Sequence, residues 1–171
     1  MKSLSLVTLA TLALSSAFAD EKADAMKLGA SKYVLCGACH GMDGKGQPAP
    51  GMNFAPNFAD SKIASDASAE AMALSVLKGI KKEDAKYLQM MLPLETSLND
   101  DELAAVLTYV RNKFAGKDDL VTADQAKAWR AKYEGTTGQV TRADLLKLVT
   151  PDEGEEKESG EGEEEEEKAA E

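Results

Sequence analysis

Apolar positions along the chain fall into helical stripes, and no stretch alternates apolar with polar long enough to make a useful strand. The clearest stripe is Leu103, Val106, Leu107, Val110 and Phe114, the recurrence that puts one apolar face along a helix. Asn99 and Glu102 are spaced for a capping box, and Asp100 and Asp101 occupy the first turn, where the helix dipole favours acids. Arg111 and Lys113 fill the last turn before Gly116 stops it. Residues 21–35 predict another amphipathic helix, with Met26, Ala30, Tyr33 and Val34 on one side and Glu21, Lys22, Asp24, Lys27 and Lys32 on the others. Gly29 inside it costs about 1 kcal/mol relative to alanine, which predicts a close crossing by a second helix. Residues 67–79 read as a helix opened by Ser68 and Glu70 and ended by Gly79. Shorter helices are predicted over 123–133 after Thr122 and over 142–149 after Thr141, with Trp129 covering apolar body surface. The fold class is all-α.

Between these helices, residues 41–60 carry Gly41, Gly44, Gly46, Pro48, Pro50, Gly51 and Pro56 and predict a long loop that wraps around something. Met42 and Met52 in this loop are expected to pack, since a flexible thioether fills irregular space.

The two ends of the chain differ from its middle. Residues 1–19 have the order of an export signal: Lys2, an apolar stretch from Leu4 to Leu14, then Ala17-Phe18-Ala19 ahead of Asp20. The expectation is cleavage after Ala19, a periplasmic product and no stable membrane insertion afterwards. Residues 152–171 hold 12 acids and two lysines, whereas residues 20–151 hold 18 acids against 17 bases. The low isoelectric point therefore belongs to the tail, and residues 151–171 are expected to be disordered. No basic stripe suggests nucleic acid. The lysines at 78, 81, 82 and 86 are expected to cluster where partners dock.

The chemistry sits in Cys36-Gly37-Ala38-Cys39-His40. Two thiols three positions apart can each add to a vinyl group of one haem, and the following histidine is delivered to the iron, so C-x-x-C-H is the attachment signature of a c-type haem. A thioredoxin-like pair would need a strand and a βαβ setting. A structural zinc site needs four nitrogen or sulfur ligands, and the chain has two cysteines and one histidine.

Four further segments join this motif: Asp43-Gly44-Lys45-Gly46, Ala55-Pro56-Asn57-Phe58, Met91-Leu92-Pro93, and N-D-D-E-L-A-A-V-L-T-Y-V-R-N over 99–112. Together they resemble class I cytochrome c, especially bacterial monohaem domains, over about residues 22–133. The resemblance implies a compact helical fold around one haem c, bound through thioethers to Cys36 and Cys39, with the first and late helices crossing beside it. It assigns the iron to His40 and to Met91, with Met90 second because an extra residue separates Met91 from Pro93. Pro56 matches the proline whose carbonyl receives the histidine proton. With both axial positions filled, the site would pass one electron and catalyse no bond chemistry. It would serve as a periplasmic carrier, not an enzyme, between a donor dehydrogenase or reductase and an acceptor oxidase or other reductase. Alternative readings are a haem enzyme or gas sensor with a labile sixth ligand, a cytochrome subunit of a dehydrogenase complex, and an acidic-tailed interaction module. The domain plan is a signal peptide at 1–19, a cytochrome domain over 20–150 whose helical extension starts near 122, and the tail.

Overall fold

The computed structural model describes residues 7–83, 87 and 90–149, with side chains from residue 18 onward. The acidic tail lies outside the described residues. Among the described residues, seven α-helices and one small hairpin follow in order: α1 Val7–Lys32, α2 Val34–His40, β1 Pro48–Ala49, β2 Met52–Asn53, α3 Lys62–Ser65, α4 Glu70–Lys78, α5 Asp100–Phe114, α6 Ala123–Tyr133 and α7 Arg142–Leu146.

The principal packing is α1 across α5, and Gly29 is the reason the two can meet. A β-carbon at Gly29 would lie 2.2 Å from the Ala105 carbonyl oxygen and 2.6 Å from Tyr109 Cβ. Hydrogen in place of a side chain lets the backbones approach. On α5, Leu103, Val106, Leu107 and Val110 are at most 2% exposed and pack with Met72, Ala73, Val76 and Leu77 of α4. Each such side chain contributes about 1.5–3 kcal/mol by leaving water. The start of α5 is fixed by the expected box: Asn99 accepts from the Glu102 amide at 2.9 Å, and the Glu102 carboxylate accepts from the Asn99 amide at 3.0 Å.

Differences from the sequence reading have local causes. Helix α1 is already formed at Val7, ahead of residue 21, because the Leu- and Ala-rich run leads into the amphipathic segment without a breaker. It ends at Lys32, and α2 begins after Tyr33, whose carbonyl accepts from the amides of both Cys36 and Gly37. The 41–60 stretch contains the two-residue hairpin, pairing Pro48 with Asn53 and Ala49 with Met52, and a 3-10 turn over Phe58–Asp60. Met42 and Met52 do not pack: they are 64% and 42% exposed. The loop is held instead by backbone bonds and by the buried Tyr33, whose hydroxyl donates to the Gly41 carbonyl at 2.7 Å.

Beyond α5 the chain folds back over the body. Both α6 and α7 open with capping boxes, Thr122 with Gln125 and Thr141 with Asp144. Trp129 is half-buried against the main core, and Leu145 is fully buried in a smaller cluster with Leu74 and Val140. Helix α7 stops at Leu146, short of 149, and residues 147–149 continue in tighter turns ahead of Pro151, which disfavours helix before it.

Candidate functional site

Positions 36, 39 and 40 share one face of a helix by their spacing, and α2 supplies all three to a single cavity of about 430 Å³. Pro56 and Phe58 of the loop, Met72 and Val76 of α4, and Val106 of α5 line the same space, as do Met90 and Met91. The structure thus brings every site residue expected from the sequence to one cavity.

Burial sets the protonation states. The Cys36 thiol is pushed up to about 11 by burial and secondarily by Cys39, and both cysteines are unpaired in this structure. Burial lowers His40 to about 4, so at neutral pH its imidazole is uncharged and keeps a lone pair for a metal. The ring is positioned by Phe58, which stacks on it with centroids 4.5 Å apart and planes 13° apart. His40 Nδ1 is buried and has no hydrogen-bond partner among the described residues. The Pro56 carbonyl, expected to receive its proton, does not bond it here, although Pro56 lines the cavity.

The two methionines differ in how firmly they are held. Met91 is half-buried against the core. Its amide donates to the Ile80 carbonyl at 3.0 Å and its carbonyl accepts from the Ile80 amide at 2.9 Å. Gly79, at φ +71°, makes room for this pairing, since a β-carbon there would lie 2.4 Å from the Met91 oxygen. Met90 is 43% exposed.

One cation departs from expectation and another was not foreseen. Lys78 is 7% exposed and donates to both Glu95 oxygens, at 3.0 and 2.8 Å. It is therefore no part of a docking cluster; Lys81 and Lys82 are exposed, and Lys86 lies outside the described residues. Arg142, which the sequence reading missed, is the one permanently charged residue lining the cavity among the described residues. Its guanidinium pairs with Glu83 and lies 5.4 Å from the Tyr87 ring centroid. No local signal could have found it, because its partners lie more than 50 residues away in the chain.

Among the described residues, no group of three or more His, Cys, Asp or Glu could hold a bare metal ion. The donor set fits a cofactor that brings its own metal and the rest of its ligands. A family model for cytochrome c matches residues 26–113, just over half of the chain. The chain belongs to the cytochrome c family. A search of curated proteins finds no match. As a cytochrome c, it carries a covalently bound haem c and works in electron transfer with redox protein partners. The cavity fits that group: a deep apolar space with two thiols, a neutral imidazole and thioethers at its wall. The family match ends at 113, so α6, α7 and Arg142 lie outside it.

Proposed function

We propose that this cytochrome c is a one-electron carrier of the periplasm with one haem, attached through Cys36 and Cys39 and ligated by His40 and Met91. The observation that carries the reading is the convergence of the C-x-x-C-H face and the Met91 segment on one cavity. The bound haem supplies the reversible one-electron couple, and the protein's residues tune and protect it. Thioether formation tethers the cofactor to α2. A neutral His40 donates from one side, and the Pro56 carbonyl is the acceptor assigned to its Nδ1–H. The choice of Met91 over Met90 rests on its burial and its two-way pairing with Ile80, since a ligand must be held at fixed distance. Met ligation and apolar surroundings raise the reduction potential. Arg142, paired with Glu83, brings positive charge to the cavity wall beside the cofactor. With His40 and Met91 both given to the iron, the haem would have no position left for substrate or gas, which supports a carrier over an enzyme. Export follows from the signal at residues 1–19, and among the described residues no helix is long and apolar enough to cross a membrane.

The test is Met91→Ala. The haem should stay covalently attached by mass, while the long-wavelength Met-to-ferric-iron absorption disappears and the potential falls. If Met90→Ala does this and Met91→Ala does not, the ligand is Met90. Rapid carbon monoxide binding by the reduced wild-type protein would favour a gas-binding or enzymatic role instead.

A further inference from the structure

We infer that the chain beyond the family domain is a strap that keeps the proposed axial ligand on the iron, with Gln139 as its main positioning residue. The inference rests on the reading of Met91 as ligand. Between α4 and α5 the described residues form no helix, so this segment must be held by something other than its own secondary structure. Upstream of Met91, the 79–81 backbone is paired on both sides. Ile80 bonds Met91, as above, while the Val140 amide donates to the Gly79 carbonyl at 3.1 Å and the Lys81 amide to the Val140 carbonyl at 2.9 Å. The Gln139 amide group then crosses this arrangement. Its Nε2 donates to the Met91 carbonyl at 2.7 Å and to the Ile80 carbonyl at 3.3 Å. Downstream of Met91, Arg130 of α6 donates to the Glu95 carbonyl at 2.7 Å, the Leu98 carbonyl at 2.8 Å and the Asp100 carboxylate at 2.7 Å.

Side chains from beyond residue 113 thus satisfy carbonyls on both flanks of Met91 and one on Met91 itself. The strap has its own anchors: Leu145 and Val140 in the smaller apolar cluster, and Lys132 and Tyr133 on Glu70. With the 79–81 backbone, Met91 itself and the 95–100 stretch all bonded, the strap opposes departure of Met91 from the iron. An electron carrier needs that closure, and a gas-binding haem protein does not.

Gln139→Glu keeps the shape and replaces the amide donor by an acceptor facing two carbonyls, and Gln139→Ala removes the group. In the full-length haem protein, carbon monoxide should bind the reduced form faster in both variants, because it enters only when Met91 leaves. A lost hydrogen bond corresponds to roughly a fivefold rise for Gln139→Ala, and Gln139→Glu should exceed it. Haem attachment should be unchanged in both. Gly29→Ala, whose added β-carbon meets Ala105 and Tyr109 of α5 rather than the strap, should lower the melting temperature without changing the rate. Unchanged rates in both Gln139 variants, with a normal Met-to-iron band in the wild type, overturn the strap alone. A wild-type protein without that band removes the ligation reading and the strap with it. A rate rise in Gly29→Ala equal to that in Gln139→Ala also overturns the strap, by reducing it to general destabilisation.

Discussion

Tyr33 and Gly29 sit one helical turn apart and do opposite things at the same crossing. Tyr33 fills space: its ring centroid is 5.4 Å from Tyr109 and 5.1 Å from Phe114, and its buried hydroxyl bonds the Gly41 carbonyl just past His40. Burial, with smaller contributions from Cys36, Tyr109 and Asp43, keeps the phenol protonated well above its ordinary range, so it remains a donor at every usable pH. Tyr33→Phe should keep the packing and lose that bond, costing about 1 kcal/mol, more if the Gly41 oxygen finds no other donor; thermal unfolding checks it. Gly29 leaves space, and Gly29→Ala puts a methyl where α5 backbone stands. It should cost about 1–3 kcal/mol as an overpacked crossing, and equal melting temperatures for Gly29→Ala and wild type would show that the helices shift freely. At this scale the sequence announces residues whose signal is local: the spacing of Cys36, Cys39 and His40, and a glycine inside an amphipathic run. It is silent where the partner is distant. Arg111 reads as a last-turn cation, and nothing local reveals that it is 1% exposed, pairing with Asp119 and donating to the Ala64 carbonyl at 3.3 Å.

At the scale of elements, a capping box joins neighbours in sequence, which is why the Asn99 box was legible in the sequence and Thr122 and Thr141 could be placed ahead of their helices. The hairpin could not, because strands of two residues have no period to detect and exist through backbone bonds alone. The docking of α6 on α4 was equally hidden. It runs through Glu70, which accepts from Lys132 and from the Tyr133 hydroxyl. Burial raises the Glu70 carboxyl, but the hydrogen bonds from Lys132 and Tyr133 outweigh it and the net shift is downward. A carboxylate held below its unfolded value stabilises the fold above the unfolded pKa, about 4.3. That contribution disappears as pH falls through the lower folded value. Glu70→Gln should therefore melt below wild type at pH 7, and the gap should close as pH drops below about 4. A gap that persists undiminished in acid would mean that Glu70 acts through shape rather than charge.

At the scale of the molecule, the cavity is part of the core. Met72, Val76 and Val106 face it from one side and pack in the main hydrophobic cluster on the other. Emptying a site leaves those side chains without partners, and the penalty measured for engineered voids is about 24 cal/mol per Å³. Applied to about 430 Å³, that is about 10 kcal/mol as an upper figure; Met90 and Leu92, 43% and 66% exposed, show that the wall is open to water near them. Total stabilities of single domains are about 5–15 kcal/mol, so the two quantities are of the same size and the fold is expected to depend on the haem. A Cys36→Ala, Cys39→Ala double variant cannot form either thioether and should lose the cofactor during purification. Far-UV circular dichroism should then show most of the helix gone, with α5 and α1 failing together because each buries its apolar face against the other beside the cavity. The extension should not persist alone, since its apolar anchors, Val140 and Leu145, pack on Leu74 of α4. A haem-free double variant with native helix content and a sharp melting transition would show that the protein core suffices without its cofactor.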